Sequence, residues 1–107
     1  TNNVQINAYR TTIGTEEFTY RMYLSGAGNE NYLSTSFNLT GNDDITIYFQ
    51  TSNNRNLRLV KEDGTILHNY TGTTAQSQSF HYSGEPCTVY LYMASGSGYI
   101  YCIKLND

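Results

Sequence analysis

The chain has 107 residues, a formal net charge of −3 and charged side chains at 14% of positions, against about 25% in an average domain. That length suits one domain with a real core and leaves no room for two. Six Lys and Arg, nowhere clustered, exclude a protein that tracks a phosphate backbone, and no apolar run approaches the ~20 residues of a spanning helix, so neither nucleic acid nor a membrane is an expected partner.

In chain order, nine segments read as strands: 4–8, 18–24, 32–39, 45–50, 57–61, 65–70, 77–82, 88–93 and 99–105. Each shows alternation, β-branched or aromatic enrichment, and flanking Gly, Asn, Asp or Ser. No twelve-residue window holds an apolar stripe at helical spacing. Thr40-Gly41-Asn42-Asp43-Asp44 separates two strong strands. Glu62-Asp63-Gly64 reads as a hairpin loop with glycine at the left-handed position. Pro86, the one proline, precedes a strand, where a missing donor is tolerated. Short strands joined by such turns predict an all-β, antiparallel β-sandwich, jelly-roll-like, in a single domain over 1–107.

Side chains in a strand alternate faces, and this assigns them. Phe18, Tyr20, Met22 and Leu24 go inward, sending Arg21 and Tyr23 outward. Ile45, Ile47 and Phe49 go inward, with Tyr48 and Gln50 outward. Leu57 and Leu59 go inward, leaving Arg58 outward and near His68 across the hairpin. Residues 87–93 and 99–105 read as a last hairpin closed by a Ser/Gly turn. Val89, Leu91, Met93, Tyr101, Ile103 and Leu105 fall on one face of it, and Tyr90, Tyr92 and Lys104 on the other. The outward set thus holds Arg21, Tyr23, Tyr48, Arg58, Tyr90, Tyr92 and Lys104: four tyrosines and three cations. Whether one sheet carries them all is a question of topology.

A five-residue loop in the last hairpin pairs Met93 with Tyr99, Tyr90 with Cys102 and Cys87 with Leu105. The two cysteines then point to opposite faces and form no disulfide, although a bulge or another loop length reverses this. Two cysteines and two distant histidines do not make a zinc site. Asp43 with Asp44, or Glu16 with Glu17, offers loop oxygens that a structural calcium could use; no other cofactor is implied. His68 and His81 have no local carboxylate or nucleophile, and no serine elbow or paired-carboxylate motif is present, so the chain does not read as an enzyme.

Three segments carry a resemblance: Phe18-Thr19-Tyr20-Arg21-Met22-Tyr23-Leu24; Ile45-Thr46-Ile47-Tyr48-Phe49 leading to Leu57-Arg58-Leu59-Val60-Lys61-Glu62-Asp63-Gly64-Thr65; and Tyr99-Ile100-Tyr101-Cys102-Ile103-Lys104-Leu105. The series resembles the small β-sandwich modules attached to bacterial pectate lyases, among them a pectin-binding family of carbohydrate-binding modules. The resemblance implies basic side chains on a sheet face that meet polygalacturonate carboxylates. Arg58 and Lys104 are the matching positions, with Arg21 a weaker match. A thinner resemblance is to the prepeptidase C-terminal sandwich domains of secreted proteases.

A pyranose presents an apolar patch of axial hydrogens that stacks on an aromatic ring, while rim polar groups fix its orientation. Arginine can hold a uronate carboxylate with two hydrogen bonds. The expected function is therefore a non-catalytic module that targets a secreted plant-cell-wall-degrading enzyme to polysaccharide, with pectin as favoured ligand. A neutral β-glucan or hemicellulose is the alternative ligand. The alternative from a different class is a structural, prepeptidase-like spacer without glycan affinity. The uncharged polar composition suits a secreted, extracellular bacterial domain. The opening Thr1-Asn2-Asn3 reads as a cut from a longer chain carrying a covalently linked catalytic module, the alternative being a free-standing secreted protein with its leader removed, and the domain is expected to be monomeric.

Overall fold

The computed structural model describes residues 4–106; Thr1, Asn2, Asn3 and Asp107 lie outside it, and with them the reading of the first three residues as a cut end. Nine strands form: β1 (Gln5–Ile13), β2 (Glu16–Leu24), β3 (Ser34–Leu39), β4 (Asn42–Thr51), β5 (Leu57–Lys61), β6 (Ile66–Tyr70), β7 (Gln76–Ser83), β8 (Cys87–Met93) and β9 (Gly98–Leu105). Turn chemistry acts where expected between β5 and β6. There the Asp63 carboxylate accepts the Thr65 amide and Gly64 takes a φ of 93°, a left-handed value that favours glycine. β1 runs beyond residue 8 because, after a bulge at Ala8/Thr11, Thr11 to Ile13 pair with Phe18 to Glu16.

The strands divide into two antiparallel sheets, β1-β2-β9-β4-β7 and β3-β8-β5-β6. Pairing is nested: β2 with β9, β3 with β8, β4 with β7 and β5 with β6, alternately in one sheet and the other. This is the strand order of a jelly roll, a long ribbon of paired strands wrapped into a sandwich. The expected β-sandwich is the observed fold.

That order corrects the last hairpin. β8 and β9 are neighbours in sequence but belong to opposite sheets, so Met93–Tyr99, Tyr90–Cys102 and Cys87–Leu105 are not pairs. Ala94 to Ser97 instead cross between the layers, tied by Ala94 N–H to the Asn56 carbonyl (2.9 Å) and Ser52 N–H to the Ser97 carbonyl (3.0 Å). No disulfide joins Cys87 to Cys102.

Between the sheets, alternation works as expected for Ile45, Ile47, Phe49, Leu57, Leu59, Val89, Leu91 and Met93, all buried. Each contributes roughly 1.5–3 kcal/mol by leaving water. Tyr70 is buried with them, edge-on to Phe49 at 5.7 Å. Its hydroxyl has no hydrogen-bond partner among the described residues. Asp43 is also buried. Its two oxygens accept from the amides of Thr40 and Gly41, the Thr40 hydroxyl and Asn106 Nδ2. The turn before β4 is closed by an internal carboxylate.

The inward assignments of Phe18, Tyr20 and Tyr101 need correction. β2 pairs with β9 only from Met22 to Leu24, and its earlier residues part from that strand. Phe18 consequently packs on Tyr48 (5.2 Å between ring centroids) and Tyr101 (6.5 Å), on the outer side of the five-stranded sheet. Tyr20 is 62% exposed. Tyr101 is the extra residue of a bulge, since Tyr48 pairs with Cys102 and Phe49 with Ile100. A bulge turns its side chain out of the expected alternation, and its hydroxyl donates to Gln50 Oε1 at 3.1 Å.

Candidate functional site

Strand β8 runs inside the four-stranded sheet, between β3 and β5. Since Val89, Leu91 and Met93 point into the core, Tyr90 and Tyr92 stand side by side on the outer face. Their cross-strand neighbours are Ser36 and Ser34 on β3, and Val60 and Arg58 on β5. Ser34 is buried there, its hydroxyl donating to the Glu30 carbonyl at 3.3 Å. The sheet face is closed into a groove of about 300 Å³ by Asn29 and Glu30 on one side and the Lys61–Gly64 turn on the other. Gly28 holds the first wall in place, its N–H donating to the Met93 carbonyl at 2.9 Å. A Cβ at Gly28 would lie 2.6 Å from the Tyr32 carbonyl oxygen and 3.0 Å from Tyr92 Cβ, so only glycine permits this approach.

The groove is polar at its rim and acidic in balance. Glu30, Glu62 and Asp63 line it with a single lysine, Lys61, whose Nζ is 3.9 Å from Asp63 Oδ2. The Thr65 amide, then the Thr65 hydroxyl and Lys61, hold the Asp63 carboxyl below its usual range against partial desolvation. Arg58 stands beside the groove opposite Tyr92, with Nε donating to Asn69 Oδ1 at 3.3 Å. Arg58 does not face His68, as expected from the sequence; that ring lies on the inner side, stacked on Phe80 at 4.8 Å and edge-on to Tyr70 at 4.6 Å.

The seven outward residues are therefore divided. Arg58, Tyr90 and Tyr92 share the four-stranded face, while Arg21, Tyr23, Tyr48 and Lys104 lie on the outer face of the five-stranded sheet. Lys104 does not join Tyr90 and Tyr92. On its own face it is bound to Glu16, and its ammonium lies 5.2 Å from the Tyr48 ring centroid. The Glu16 partner raises the lysine pKa above its ordinary value, and Lys104 lowers that of Glu16. The pair leaves little charge for an external carboxylate. Arg21 is clasped between the rings of Tyr9 and Tyr99, 3.8 and 3.6 Å from their centroids, and Tyr23 stacks on Tyr99 at 5.2 Å.

The two loop-acid pairs considered for calcium are engaged internally. Asp43 is filled by its four donors, Asp44 meets His81 Nδ1 at 2.7 Å, and Glu16 holds Lys104 and Tyr48. Among the described residues no three His, Cys, Asp or Glu side chains are grouped as metal ligands would be.

No family model matches this chain, and a search of curated proteins returns no match. The groove geometry thus carries the functional argument alone. It sets two phenol rings under a rim of hydrogen-bond acceptors, which suits a ring with an apolar face and hydroxyl edges. Glu30 and Asn29 escaped sequence reading because a loop has no period. The one available signal was the Gly26-Ala27-Gly28 run, small enough for a loop to press against a sheet. Tyr9, Phe18 and Tyr99 were missed on the other face because their company depends on the bulges and on where β2 leaves β9.

Proposed function

We propose that the chain is a non-catalytic carbohydrate-binding module whose groove over β8 holds a neutral polysaccharide, a β-glucan or hemicellulose. The observation that carries this is the half-buried Tyr90–Tyr92 pair at the floor of a groove rimmed by Glu30, Glu62, Asp63 and Asn29. Sugar rings stack on the tyrosines and hydroxyls donate to the carboxylates. An acidic chain such as polygalacturonate meets like charge at this rim. Of the two cations matched to the pectin-binding family, Arg58 stands beside this groove, while Lys104 lies on the opposite face and is held by Glu16. In this reading the module holds a covalently linked, secreted plant-cell-wall enzyme at its substrate.

Affinity electrophoresis against mixed-linkage glucan, xyloglucan, mannan, esterified pectin and polygalacturonate tests the proposal. Retardation by a neutral glycan, abolished in Tyr90→Ala, is expected. Retardation by polygalacturonate alone would restore the acidic ligand. A second reading, a spacer without glycan affinity, is favoured by the division of the outward tyrosines between both sheets, and no retardation by any glycan would select it.

A further inference from the structure

The five-stranded sheet is split between β2 and β9. Beyond the pairs Met22–Ile100, Tyr23–Tyr99 and Leu24–Gly98 the two strands part, and a slot of about 230 Å³ opens between them. Met22, Ile100 and Ile103 enter its wall from the inner face, and Arg21, Tyr101 and Cys102 from the outer face. The slot therefore passes between strands instead of lying on one side. Ile6 and Tyr20 complete it, each 62% exposed. They lie towards the β1 edge of the five-stranded sheet, and the opposite sheet is one strand narrower. A cavity of about 150 Å³ takes one benzene ring, so this slot has room for a somewhat larger aryl group.

The electrostatics of the slot are one-sided. Among the described residues, Arg21 is its single basic residue and no carboxylate side chain lines it. Among the described residues, no carboxylate lies within ion-pair distance of Arg21. Tyrosine rings cover both flat faces of the guanidinium, the side chain is also hydrogen-bonded with Tyr101, and among the described residues the buried Nε has no hydrogen-bond partner. Such a cation is stripped of water on its faces and unneutralised, so an anion can approach along its edge.

We propose that this slot binds a small amphiphilic anion, an aryl or short alkyl body with one carboxylate or sulfonate head. The body lies against Ile6, Tyr20, Met22 and Ile100, and the head takes Arg21. Its character is opposite to that of the acid-rimmed groove on the other sheet, and the inference does not depend on glycan binding.

The test is a fluorescence titration of the native chain with 1-anilinonaphthalene-8-sulfonate, in parallel with N-phenyl-1-naphthylamine, a similar body without the sulfonate. Cooperative melting first verifies that each variant is folded. A saturable one-to-one signal is expected, weakened about tenfold or more in Tyr20→Ser, which alters a largely exposed side chain. Arg21→Gln should weaken the sulfonate dye about tenfold and leave the neutral dye within about twofold, while Tyr90→Ala changes neither. No saturable binding, equal binding by Tyr20→Ser, or equal loss of both dyes in Arg21→Gln overturns the proposal. So does a concentration-dependent dimer that the dye disperses, which would make the slot an interface between copies.

Discussion

Lys104 and Glu16, 88 residues apart in the chain, are joined on the outer face of the five-stranded sheet, where Glu16 also accepts a 3.1 Å hydrogen bond from the Tyr48 hydroxyl. The contact fastens the end of the β1–β2 hairpin across β9 and β4, next to Phe18 on Tyr48. It also determines which charges remain for a ligand, because Lys104, matched to the carboxylate-binding positions of the resembling family, already has a carboxylate.

The pair makes a pH-dependent contribution to stability. The lowered Glu16 pKa contributes above the ordinary carboxyl value, and that part is lost as pH falls through the lowered one. The raised Lys104 pKa contributes below the ordinary lysine value, and that part is lost as pH rises through the raised one. Both groups meet solvent, so screening keeps the effect small. Glu16→Gln should lower Tm by at most a few degrees at neutral pH and by nothing in strong acid. Thermal melts at both pH values check this; an equal loss in acid would assign the effect to packing.

Binding should divide the tyrosines by face. Tyr90→Ala or Tyr92→Ala should weaken a neutral glycan about tenfold or more, since stacking contacts are worth about 0.5–1.5 kcal/mol beyond the area they bury. Tyr23→Ala and Lys104→Ala should leave affinity within about twofold. Isothermal titration calorimetry with an oligosaccharide from the retarding glycan measures both sets, and the reverse pattern would move the site to the five-stranded face.

Asp43 should be the most sensitive acidic position. Desolvation opposes its ionisation, but hydrogen bonds from Asn106, Gly41 and Thr40 prevail and hold its pKa below the usual value. Its contribution is present above the ordinary carboxyl pKa and lost as pH falls through the lowered one. Asp43→Asn turns an amide donor toward donors already there, and should lower Tm by about 10 °C. A melt within about 2 °C of the parent would show that the turn closes without the carboxylate.

Alkaline behaviour should reflect three retained phenols, Tyr70, Tyr82 and Tyr101, the last raised chiefly by burial. Hydrogen bonding with Cys87, followed by burial, pushes the Tyr82 pKa up to about 12, and burial raises that of Tyr70 further. Unfolded tyrosine ionises near 10, so their contribution is full below that pH and is lost as pH rises through the raised values. An absorbance titration should show these three of the eleven tyrosines ionising late or only on unfolding. Tyr70→Phe removes the hydroxyl that lacks a partner and keeps the ring on Phe49. It should leave stability unchanged or raise it by about 1 kcal/mol; a clear loss in denaturant melts would reveal a partner for the hydroxyl.

Much of the architecture was legible locally. β5 begins and ends where alternation places it, the Asp63-Gly64 turn forms as its residues demand, and the inward set on β4, β5 and β8 is correct. The failures cluster where a strand departs from regular pairing. Tyr101 faces outward because of a bulge that no neighbour in sequence announces. Phe18 and Tyr20 lose their inward places because β2 leaves β9 after three pairs. The groove was half legible: its tyrosine floor follows from β8 alone, whereas its Glu30 wall comes from a loop.

The sequence by itself determined the strands, most of their two-sided patterning and the jelly-roll-like class, because period-two alternation and turn preference act over a few residues. Tertiary structure alone decided that β8 and β9 lie in opposite sheets, that Lys104 answers Glu16, and that the outward tyrosines divide between the outer faces of the two sheets. Alternation tells a strand which of its sides is dry. It does not say which sheet the strand joins, since membership depends on hydrogen bonds to partners far along the chain and on the nested wrapping of the whole ribbon.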